Sequence, residues 1–93
     1  MIKSFRDINT EKVFLRQQTR KFDIKLYKIA LRKLLILDAA ETLNDLQIPP
    51  GNRLEKLKGK RKDQLSIRIN NQWRICFKWQ NGNAFEVEIT DYH

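Results

Sequence analysis

The 93-residue chain is short of the side chains from which metal centres and disulfides are made: it has one cysteine, Cys76, and one histidine, His93. A single cysteine excludes an internal disulfide, and one Cys with one His leaves too few ligands for a closed zinc site. No metal and no cofactor are therefore expected. Long hydrophobic runs are also missing. The longest, LLILDAA, is far too short to span a bilayer, and the opening MIKSFRDINTEK becomes charged before any apolar stretch of useful length. These features predict a cytoplasmic protein with no membrane partner. Acidic residues are the other deficit, 11 against 19 Lys and Arg, for a formal net charge of +8.

What is present suits a compact domain. Hydrophobic residues are 41% and charged residues 32%, a balance seen in folded rather than disordered chains. At this length the expectation is one domain over 1–93 with a single small core. The positive charge is concentrated. Residues 53 to 78 carry nine Lys or Arg against Glu55 and Asp63, a local balance of +7, and the last fifteen residues carry three acids and no base. A polyanion such as nucleic acid is the natural partner of such a segment. A basic surface kept for solubility is the alternative on charge alone.

Periodicity divides the chain into a helical first half and an extended second half. MIKSF reads as a short edge strand and NTEKVFLRQQ as a short helix capped by Asn9 or Thr10. Asp23 is a good N-cap for a longer helix, with Phe22 and Tyr27 at staple spacing. Ile24, Tyr27, Leu31, Leu34 and Leu35, widened by Ala30 and Leu37, form its apolar stripe, and it should run to about residue 43 or 46. IPPGN breaks it. After a short RLEKL strand the period becomes 2. Leu65, Ile67 and Ile69 alternate with Ser66, Arg68 and Asn70; Trp73, Ile75, Phe77 and Trp79 alternate with Arg74, Cys76 and Lys78; Phe85, Val87 and Ile89 alternate with Glu86, Glu88 and Thr90. INNQW and QNGN supply the turns, and Asn81-Gly82 is a strong hairpin signal. The fold class is α+β, with two N-terminal helices packed on one face of a small antiparallel sheet.

The other sheet face is then polar. It is either an ordinary solvated surface with cross-strand Arg–Glu pairs or a place for chemistry. Three features depart from a bland surface: the loop KLKGKRK, five cations in seven positions around Gly59, which as a bare charge run is otherwise simply solvated; Arg74 set between two core tryptophans; and the segment Asp91-Tyr92-His93. Brought together, they would supply the parts for metal-free RNA cleavage, in which a ribose 2′-hydroxyl attacks the adjacent phosphate. That reaction needs a base, cations for the charge on the phosphorane, and an acid for the leaving 5′-oxygen. Lys58, Arg68 and Arg74 could provide charge, while His93 or Tyr92 could move protons. Tyr92 could alternatively stack on a base.

PPGNRLEKLKG, SIRIN, QWRICF and the closing DYH, within a likeness that runs from MIKSF to DYH, resemble the HigB-type toxins of the RelE/ParE superfamily, found in bacterial toxin–antitoxin operons. The resemblance implies the RelE-like microbial RNase fold and a ribosome-dependent endoribonuclease, an mRNA interferase that cuts message in the ribosomal A site and arrests growth. It implies a HigA-type antitoxin with a helix-turn-helix domain as neutralising partner, and operator DNA only indirectly, through that antitoxin. Arg74 matches the arginine implicated in transition-state stabilisation; Asp91, Tyr92 and His93 match the functional tail; Lys58 matches a basic position beside the site; Arg68 fits the SIR variant. Where some members have a second active-site histidine, this chain has Glu55, which could act as a general base or could only pair with a neighbouring lysine. Lys56, Lys60, Arg61, Lys62 and Lys78 are the expected RNA or ribosome contacts. Two other functions fit parts of the pattern: a ParE-like DNA gyrase poison without ribonuclease activity, and a non-catalytic RNA-binding module using the same basic face.

Overall fold

A computed structural model describes residues 1–91; Tyr92 and His93 lie outside the described residues. Helices α1 (Ile8–Phe14) and α2 (Ile24–Ala39) precede strands β1 (Glu55–Lys56), β2 (Leu65–Arg68), β3 (Trp73–Gln80) and β4 (Asn83–Asp91). The strands form one antiparallel sheet in the order β1-β2-β3-β4, so β3 is flanked on both sides. One core cluster joins the helices to one sheet face through Val13, Leu26, Ala30, Leu34, Ile67, Ile75, Phe77, Val87 and Ile89, among others. No described helix is long and apolar enough to cross a membrane.

The cap of α1 is Asp7, not Asn9 or Thr10: its carboxylate accepts the Thr10 N–H at 3.1 Å. Thr10 has a different task. It is fully buried, and its hydroxyl donates to Asp7 at 2.6 Å while accepting the Ile89 N–H of β4 at 3.0 Å. A surface-type residue is thereby spent on tying α1 to the sheet.

Asp23 caps α2 as its sequence predicts, accepting the Leu26 N–H at 2.8 Å. The helix buries Ala30, Leu34 and Leu37 of the expected stripe and packs Tyr27 and Leu31 against the core, but it adds Leu26 and leaves out Ile24 and Leu35. Leu26, Ala30, Leu34 and Leu37 face the sheet, whereas Ile24 is 76% exposed and Leu35 38%. The helix also ends earlier, at Ala39 rather than near 43 or 46. Thr42 and Asp45 form a reciprocal capping box that starts a separate 3-10 turn, Leu43–Gln47, so local side-chain bonds outcompete helix propagation.

The Asn81-Gly82 turn joins β3 to β4 with φ values of 53° and 78°, as a type I′ hairpin requires. Further along, the register slips. Cys76 pairs with Glu88 but Lys78 with Phe85, leaving Glu86 and Val87 together opposite Phe77. This is a β-bulge, with Glu86 at φ 52°, a conformation costing roughly 1–2 kcal/mol in a non-glycine residue. MIKSF is not a strand of the sheet. It runs parallel to β4 through isolated bridges, Ile2 to Ala84 and Phe5 to Val87, and the Ser4 hydroxyl accepts the Glu86 N–H at 2.8 Å. The bulge changes the expected alternation: Ala84 takes the core position opposite Trp79, and Phe85 moves to the polar face opposite Lys78.

Replacing Thr10 with Val keeps the shape but leaves the Ile89 N–H buried without an acceptor. The expected loss is about 1–3 kcal/mol of unfolding free energy, read as a lower urea midpoint with an unchanged slope.

Candidate functional site

Alternation along β3 sends Trp73, Ile75 and Phe77 to the core and Arg74, Cys76 and Lys78 to the opposite face. Arg74 is at the centre of that face and only 9% exposed. Burying a guanidinium is costly unless its donors are matched. Nε donates to the Ser66 hydroxyl at 2.7 Å, and Nη2 donates to the backbone carbonyls of Arg53 at 2.5 Å and Ser66 at 3.3 Å. Arg53 presents its carbonyl from a left-handed conformation, φ 45°, just after the Pro50–Asn52 turn. Nη1 has no protein acceptor among the described residues. Arg74 is thus held by a strand neighbour and a loop.

Glu55 stands beside it. Its carboxylate is 4.0 Å from Nη2 and 57% exposed, a loose ion pair open to solvent. Across the sheet, Thr90 is the register partner of Arg74, and Arg68 is its partner on β2. Arg68 hydrogen-bonds the Asn71 side chain in the β2–β3 turn, and its charge, after burial and the charge of Arg32, helps lower the Lys33 ammonium below its ordinary pKa.

The basic loop folds over one end of this face. Gly59, at φ 68°, opens a 3-10 turn, Gly59–Arg61. Arg61 turns inward, bonding Gln64 at 3.0 Å and Glu88 at 3.1 Å, and so pins the loop to β4. Lys56, Lys58, Lys60 and Lys62 remain exposed. Lys78 is held between two carboxylates, Glu86 at 2.7 Å and Asp63 at 3.3 Å, which raise its ammonium above the usual value. Cys76 lies between Arg74 and Lys78, 1% exposed, and burial pushes its thiol up, so it stays neutral at physiological pH. No group of three or more His, Cys, Asp or Glu suited to a metal ion occurs among the described residues.

The structure therefore brings Arg74, Arg68, Glu55 and Arg61 to one face, while Lys56, across from Leu65 and so in line with Phe77, falls on the other side of the sheet. It sets Asp91 apart: its register partner is Trp73, a core-facing residue, and its carboxylate accepts from Gln72 at 2.9 Å. His93 and Tyr92 lie outside the described residues. Ser66 and Thr90 were placed on the polar face by alternation, but nothing in the sequence marked them as neighbours of Arg74. The Arg53 carbonyl carried no signal at all.

A family model described as the RelE-like toxin of the type II toxin–antitoxin system HigB matches residues 3–93. The chain belongs to the HigB-like toxin family. It is 57% identical over 58 residues to "Toxin HigB-1" of Vibrio cholerae, an alignment covering 62% of this chain and 61% of that protein. It is 44% identical over 64 residues to an uncharacterized protein of Haemophilus influenzae, covering 69% and 63%. It is 32% identical over 95 residues to "Endoribonuclease HigB" of Proteus vulgaris, covering all of both. The alignments with the first two relatives thus span less than two thirds of their lengths. In fold, the chain is similar to the crystal structure of a histidine-to-glutamine mutant of YafQ from E. coli, with a TM-score of 0.58 at 15% identity, covering 98% of this chain and 91% of that one.

If Ser66 is what holds the HigB-like arginine, Ser66→Ala strands the charged Nε without its side-chain acceptor. Such a bond contributes about 1.5–3 kcal/mol, and the urea midpoint should fall accordingly. An unchanged midpoint would show that Arg74 is not anchored there.

Proposed function

We propose that this protein is a ribosome-dependent endoribonuclease that cleaves mRNA in the ribosomal A site by 2′-hydroxyl attack and so arrests growth. The observation that carries this reading is the Arg74 guanidinium, fixed by Ser66 and the Arg53 carbonyl on an open cationic face. A donor held in place before the reaction needs no reorganisation when charge builds on the phosphorane, and such preorganisation is a major source of rate. Family membership and the full-length likeness to a protein named Endoribonuclease HigB support the same reaction class.

In this proposal Arg74 stabilises the phosphorane and the exposed Lys58 adds a second positive charge beside it. His93 is the leading proton-transfer group, with Tyr92 as the alternative and Asp91 as the third residue of the functional tail. Glu55, next to the guanidinium, is the candidate for the second acid–base role, and Arg68 supplies charge from the neighbouring strand. Lys56, Lys60 and Lys62 face solvent and are suited to grip ribosomal RNA, which explains why free RNA would be a poor substrate. The chemistry needs no metal. A HigA-type antitoxin with a helix-turn-helix domain is the neutralising partner, linking the toxin to operator DNA only indirectly, and the setting is the cytoplasm.

Pulsed expression in bacteria with transcriptome-wide mapping of new RNA 5′ ends tests the proposal. Cuts in phase with the reading frame of translated messages are expected, and Arg74→Ala should reduce them on the order of 10²–10³-fold, the usual cost of a lost transition-state donor. DNA breaks and SOS induction without such cuts would instead identify a gyrase poison. Salt-sensitive RNA binding that tolerates loss of His93 and Tyr92 without any cleavage would identify a binding module.

A further inference from the structure

The register slip in β4 produces one aromatic ring that the core does not account for. Phe85 is directly across from Lys78 and therefore shares the face of Arg74. It is only half-buried, stands outside the core cluster and the residues packed on it, and joins none of the aromatic pairs among the described residues. In a regular strand Phe85 would share the core face with Val87 and Ile89. The bulge instead holds Glu86 in a left-handed conformation, backed by the Ser4 hydroxyl, and turns the ring outward. A strained bulge that takes an aromatic ring off the core face is the mark of a feature kept for something other than stability.

The surrounding charge selects what the ring can meet. Lys78 is bracketed by Asp63 and Glu86, one cation against two carboxylates, so this spot is locally negative although the face as a whole is basic. A phosphate is not drawn there. A nucleobase is flat and uncharged, and stacking on an aromatic side chain is how single-stranded RNA bases are commonly held. Lys78 stands four positions along β3 from Arg74, about 13 Å at roughly 3.3 Å per residue. That distance places the base on a nucleotide flanking the cleaved bond, not at the bond itself.

We infer that Phe85 is a stacking platform for one nucleobase of the bound message, beside a Lys78 immobilised by Asp63 and Glu86. This rests on the ribonuclease reading above and adds a subsite to it. The role is one of binding and positioning, not of proton transfer.

The test uses purified full-length toxin on programmed ribosomes under single-turnover conditions, with messages carrying an abasic nucleotide at successive positions around the cut. Phe85→Leu should lower kcat/KM on intact message on the order of tenfold, with Phe85→Trp recovering most of the loss and thermal melting reporting the fold. At one flanking position the abasic message should cost the wild type a similar factor and cost Phe85→Leu nothing further, because both changes remove the same contact. Should Phe85→Leu fail to fold, Phe85→Val, a good strand former, takes its place in the cycle. Equal cleavage by wild type and the aliphatic variant, or abasic penalties that stay unchanged in it at every position, overturns the inference while leaving the ribonuclease reading intact. Unchanged cleavage with weakened antitoxin binding also overturns it, since the ring would then be covered by protein. A wild type that cuts no message on the ribosome removes the ribonuclease reading and the inference with it.

Discussion

A guanidinium that is 9% exposed is the constraint around which this small protein is arranged. Left unmatched, such a group would cost several kcal/mol in a domain whose whole stability is about 5–15 kcal/mol. The matching comes from two distant places in the chain, the Ser66 hydroxyl on β2 and the Arg53 carbonyl in the loop before β1. Meeting it requires that β2 lie beside β3 in one register, and that the loop after the Pro50–Asn52 turn close against the same face. The charge that would stabilise a transition state also organises one side of the sheet.

β3 carries this double duty because neighbours flank it on both sides. Its odd-numbered residues build the core with α1 and α2, while its even-numbered ones present Arg74, Cys76 and Lys78. The loop over the open face is held by Arg61 through Gln64 and Glu88, so not every cation in the basic run is available to a ligand. Lys78 is likewise engaged by two carboxylates. The lysines at 56, 58, 60 and 62 are the ones left to solvent. Charge counted along the sequence therefore overstates the charge presented, and a fixed inner layer supports a freer outer one.

Regular alternation and turn chemistry made much of this legible in advance. The Asn81-Gly82 hairpin, the Asp23 cap and the placement of Arg74 opposite the core all follow from local rules that nothing later in the fold overrides. The misreadings have equally local causes. Thr10 looked like a cap but is needed as an acceptor for Ile89, so Asp7 caps instead. The edges of the α2 stripe, Leu26 inside and Ile24 and Leu35 outside, were set by packing against the sheet, and its end by the Thr42–Asp45 box, neither visible in helical periodicity alone. The bulge at Glu86 broke a perfect period-2 pattern in FEVEIT, and with it the assumption that Phe85 is a core residue. The MIKSF segment, more than eighty positions away in the chain, backs the bulge through Ser4, which accepts the Glu86 N–H. Backbone groups such as the Arg53 carbonyl leave no trace in residue identity.

The central claim is that Arg74 acts as an oriented fork rather than as a positive charge in roughly the right place. Lysine keeps the charge but cannot reproduce donors to Ser66 and Arg53 while aiming another at the substrate. Single-turnover cleavage of message on programmed ribosomes by Arg74→Lys, set beside Arg74→Ala, is the most direct measurement. The account predicts that the lysine variant falls to within about tenfold of the alanine variant, the orientation being worth more than the charge. A lysine variant that cuts as fast as the wild type would contradict it.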